Sequence, residues 1–120
     1  MSFEIQEQAL VSGLALIRDR NSNATSESNV NTGAGTIYLG KIVNNSSQSS
    51  YTCIYNNTAP TIGTTAPDIV FYTRSGKTKQ IAVVNGIALG TGVSVCTKTA
   101  GGTTGTTDPD NTVDLSLAVA

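Results

Sequence analysis

The chain has no histidine and no tryptophan, and only 12% of its residues are charged. Proton transfer near neutral pH draws most often on histidine, and hydrolytic or metal sites draw on histidine or clustered carboxylates. Their scarcity makes the sequence read as a scaffold, so no enzymatic activity, cofactor or metal site is expected. Positive charge is also sparse. Seven Lys and Arg residues are scattered, apart from Lys77 and Lys79, and the net charge is -1. No basic stripe is available to release phosphate counterions, so nucleic acid is not an expected partner. No run reaches the roughly 18 apolar residues of a membrane helix. The opening Met1-Ser2-Phe3-Glu4-Ile5 has no basic segment leading into an apolar one, which argues against a cleaved signal peptide and for synthesis in a cytoplasm.

What remains is a chain of short apolar runs separated by Gly, Thr, Ser and Asn. Its 120 residues allow one domain. From Thr36 onward the runs alternate with a period of two, as strands between unlike environments do. Ile37, Leu39 and Val43 are expected on one face of the first run, and Tyr51, Cys53 and Tyr55 on one face of the second. Ile69, Phe71 and Thr73 form the next, and Arg74-Ser75-Gly76-Lys77 reads as a hairpin turn into Gln80–Val84. Asn85-Gly86 is a second turn signal, since both residues tolerate positive φ. Val113, Leu115, Leu117 and Val119 alternate with Asp114, Ser116 and Ala118 in the pattern of a half-buried strand. The expected class is all-β, an antiparallel β-sandwich of jelly-roll or Greek-key type with an N-terminal extended arm or strand. Residues 1–35 would form the strand or arm and its polar loop, and 36–120 the body.

The N-terminal third differs in pattern. As a strand, Ala9–Ile17 carries Leu10, Leu14 and Leu16 on one face and Val11, Ala15 and Ile17 on the other, and both faces want burial. A helix with Leu10, Leu14 and Ile17 on one stripe is the alternative. The candidate interface with another chain is Phe3, Ile5, Leu10, Val11, Leu14, Leu16 and Ile17. The polar stretches Arg20–Thr32 and Thr99–Thr107 are expected to be exposed, replaceable loops.

Two chemical motifs fail on spacing, and the cysteine pair calls for no bond. Gly76-Lys77-Thr78 ends like a phosphate-binding loop, but Phe71 stands where its leading glycine belongs. Asp108, Asp110 and Asp114 suggest a calcium loop until Val113 occupies its glycine position. Cys53 and Cys96, on different strands, could face one another across the two sheets but are expected to be free thiols.

Thr36–Cys96, about half of the chain, resembles small structural proteins of tailed bacteriophages. The residues that carry the resemblance are Gly35-Thr36-Ile37-Tyr38-Leu39, the loop with Ala59-Pro60 and Gly63, and Asn85-Gly86-Ile87-Ala88-Leu89-Gly90-Thr91-Gly92-Val93-Ser94-Val95. The resemblance implies a β-sandwich or jelly-roll virion protein. The leading expectation is a non-enzymatic capsid decoration or cement protein, made in the host cytoplasm and placed on the outer capsid surface. It would bind the major capsid protein or other virion proteins and form a homo-oligomer. A tail, baseplate or fibre component is the nearest alternative. A carbohydrate-binding or host-recognition β-sandwich is another, which would require Tyr38, Tyr51, Tyr55 and Tyr72 to cluster outward on one face.

Overall fold

In the computed structural model, Phe3–Gln6 is described as a backbone strand and residues 14–120 are described in full. Eight strands follow in chain order: β1 (Phe3–Gln6), β2 (Ala15–Asp19), β3 (Gly35–Asn44), β4 (Ser50–Tyr55), β5 (Ile69–Thr73), β6 (Thr78–Leu89), β7 (Ser94–Lys98) and β8 (Val113–Val119). The described residues contain no helix. All the pairings are antiparallel and they build two sheets, ordered β1-β2-β8-β3-β6 and β5-β4-β7.

The alternation in β8 does what its sequence requires. Val113, Leu115, Leu117 and Val119 are all buried, and the strand lies between β2 and β3. Ile17, Ile37 and Ile42 from the same sheet join Ile54 and Val95 from the other in one apolar cluster, so the two sheets share a core. Truncating one of these isoleucines or leucines to alanine would cost about 2–5 kcal/mol.

Leu39 departs from its expected face. The register of β3 shifts between Ile37 and Leu39, leaving Tyr38 as an extra residue. An extra residue reverses the period-two alternation beyond it. Ile37 and Ile42 therefore face the core, while Leu39 is 52% exposed. The same irregularity explains Asn85-Gly86. Ile37 pairs with Ile87 and Leu39 with Ala82, so Val83–Gly86 bulge out of one continuous strand instead of turning a hairpin. Gly86 takes φ of 73°, and a Cβ there would lie 2.9 Å from Tyr38 Cε1. The Arg74–Lys77 connection is a turn closed by Lys77 N–H donating to Arg74 C=O at 3.1 Å. It joins strands of different sheets, so it is no hairpin.

The stretch 20–32 is not a slack exposed loop. It runs along β7, the edge of the smaller sheet, where Glu27 and Val95 exchange backbone hydrogen bonds of 2.9 and 3.0 Å. Thr97 N–H donates to Asn23 C=O and Val30 N–H to Val93 C=O, each at 2.8 Å. Val30 enters the core. Asn and Ser dominate this segment because its backbone, more than its side chains, supplies the bonds that cover the edge.

Candidate functional site

Two places on the fold concentrate features that function could use. The first is the outer face of the five-stranded sheet. Since the inward positions of β2, β3 and β8 fill the core, the alternate positions point away from it. At one end of that face, Leu16, Leu39, Ile81, Ala82 and Ala118 line an open groove of about 550 Å³. A second hollow of about 500 Å³ shares Leu39 and Ala82 and adds Leu14, Tyr38 and Val84. Val84, at the bulge of β6, is 96% exposed. The other end of the same face is polar, with Arg18 and Asp114 joined by two hydrogen bonds of 2.8 and 3.3 Å.

The structure divides the sequence-predicted interface residues. Leu14 and Leu16 line the apolar hollows, and Ile17 is buried in the internal core. Ile5 takes the register position opposite Ile17, and Phe3 the one opposite Asp19. Leu10 and Val11 lie outside the described residues. Sequence reasoning missed Leu39, Ala82 and Val84, because the bulge that exposes them leaves no periodic trace.

The second place is the outer side of the smaller sheet. Tyr51, Cys53 and Tyr55 share a face of β4, as their spacing requires, opposite Lys98, Cys96 and Ser94 of β7. The cysteines are therefore neighbours within one sheet, not partners across two. Both are free and buried, forming a small cluster with Tyr55 and Ile62. The Tyr55 hydroxyl lies 3.6 Å from Cys96 Sγ. The facing Cys96 thiol lowers the Cys53 pKa against the opposing effect of burial. The same pairing and burial push Cys96 up. Burial likewise raises Tyr55.

Lys98 is the residue that composition gave no reason to notice. Its side chain is fully buried, and Nζ donates to the carbonyls of Gly102 at 2.6 Å, Gly105 at 2.9 Å and Thr103 at 3.4 Å. The Thr/Gly tract is thus folded around an ammonium, and small residues let its carbonyls converge. Gly101 sits against Tyr51, where a Cβ would come within 2.7 Å of the ring. A lone lysine entering a carbonyl-rich, side-chain-poor tract was the only sequence signal for this arrangement.

The aspartates do not converge. Asp108 accepts from Ala24 N–H, Asp110 from Ser47, and Asp114 from Arg18. Among the described residues no group of three or more His, Cys, Asp or Glu could hold a metal ion. No protein-family model, curated protein or solved structure matches this chain. The tyrosines are also divided: Tyr38 lines the apolar hollow, Tyr55 is buried, and Tyr51 pairs with Tyr72 at 5.2 Å on the other sheet. The four tyrosines therefore do not share one exposed face.

Proposed function

We propose that this chain is a non-enzymatic structural protein of a virus particle, a decoration or cement protein that attaches to the outer surface of the capsid. The observation that carries the reading is the apolar end of the outer sheet face, where Leu14, Leu16, Tyr38, Leu39 and Val84 line adjoining open hollows. A concave apolar patch bordered by polar residues is the physical form of a protein-binding surface. The bacteriophage resemblance supplies the class of partner, the coat protein. Weak attachment at each lattice site would be multiplied by simultaneous contact with neighbouring coat subunits. We read the two sheets as a β-sandwich of jelly-roll or Greek-key type. Supporting that reading, β3 and β6 are neighbours although the two intervening strands belong to the other sheet.

The test is co-sedimentation of the purified chain with heads assembled from the major capsid protein of the virus that carries it. Saturable binding and a raised melting temperature of the heads are expected. Leu39→Asp and Val84→Asp should abolish binding while leaving the urea midpoint unchanged, since both side chains are exposed. Failure of the unsubstituted chain to bind, or undiminished binding by both variants, refutes the reading.

A further inference from the structure

We infer that Cys53 and Cys96 are a redox couple: directly opposed across the β4–β7 ladder, they close to a cross-strand disulfide when a small-molecule disulfide of the glutathione type oxidises them. Neither cysteine is a solitary thiol. Their Cα positions are register partners, both side chains belong to one buried cluster, and both are free. Directly opposed residues of an antiparallel pair hold their Cβ atoms about 4.5–5.5 Å apart. A disulfide needs about 3.5–4.5 Å, so closure asks for a local approach on the order of 1 Å, with no strand rearrangement.

The surroundings also suit the chemistry. The facing Cys96 thiol lowers the Cys53 pKa, which favours Cys53 as the attacking group because the thiolate is the nucleophile. Lys98, two residues beyond Cys96 on the same strand, lends positive charge that favours the thiolate. The thiolate attacks one sulfur of the oxidant, whose S–S bond breaks and expels one thiolate. Cys96 then releases its proton and attacks the Cys53 sulfur in the mixed disulfide, expelling the second. The chain loses two hydrogens, and one small disulfide becomes two thiols. The product staples β4 to the strand against which residues 20–32 are hydrogen-bonded.

Burial slows access of an oxidant to the folded chain, so the experiment is run at equilibrium. The full chain is refolded in mixtures of reduced and oxidised glutathione, quenched with acid and weighed by mass spectrometry. The expected product is lighter by two hydrogens, keeps the near-UV circular dichroism of the reduced chain and has a higher urea midpoint. Cys53→Ser and Cys96→Ser should each give no such species. A chain that stays at its reduced mass, accumulates only glutathione adducts, or has an equal or lower urea midpoint after oxidation overturns the inference.

Discussion

Replacing Lys98 with methionine isolates the ammonium, because methionine keeps an unbranched, flexible stem in the same buried space. Two of the three contacts, at 2.6 and 2.9 Å, have the length of charge-assisted bonds, and the third at 3.4 Å contributes little. Hydrogen bonds to charged groups contribute about 1.5–3 kcal/mol each, which sets a ceiling of about 6 kcal/mol for the pair. Two effects lower it. The variant escapes the desolvation cost of a buried ammonium. The freed carbonyls can also meet water, since the tract from Gly101 to Thr107 alternates between half-buried and exposed residues. A net loss of about 2–3 kcal/mol is expected, which shifts the urea midpoint by about 1–2 M. Hydrogen exchange should show the amide of Thr99, bonded to Thr107 C=O, losing protection. Exchanging Gly101–Thr107 for a short Gly/Ser linker should cost a comparable amount. Because both changes remove the same contacts, the double variant should be far less destabilised than their sum. A Lys98→Met loss below about 0.5 kcal/mol, the scale of an ordinary surface substitution, would refute the claim that the ammonium organises the loop.

Two other changes probe features that only the fold creates. Asp19 is 1% exposed, with Oδ2 lacking a hydrogen-bond partner, and burial raises its pKa above the usual carboxylate value. The folded state therefore holds this proton more tightly than the unfolded chain. The stability it contributes is complete below the unfolded pKa and is lost as pH rises through the folded one. Asp19→Asn should consequently gain most over the parent at neutral pH, and its urea midpoint should lack the fall that Asp19 adds as pH rises from the unfolded to the folded pKa; an unchanged pH dependence would count against the assignment. Gly86→Ala places a Cβ at positive φ and against Tyr38, so a loss of about 1–3 kcal/mol is expected in urea unfolding.

The division between sequence and tertiary structure follows from how far each signal reaches. Period-two patterning is local, so the strand character of Val113–Val119 and its buried face were legible from residues alone, as was the shared face of Tyr51, Cys53 and Tyr55. The all-β class followed from the same pattern repeated. Pairing is not local. Nothing in Asn85-Gly86 distinguishes a hairpin turn from a bulge until Tyr38 and the register of β3 are placed beside it. That choice decides whether Leu39 is core or surface, and with it where an adhesive face lies. Polar composition was equally silent about Arg20–Thr32 and Thr99–Thr107, because the bonds that fix them are made by backbone groups that every sequence carries. One stretch covers a sheet edge and the other wraps an ammonium. Cys53 and Cys96 stand far apart in the chain, and only the antiparallel register of β4 and β7 makes them neighbours.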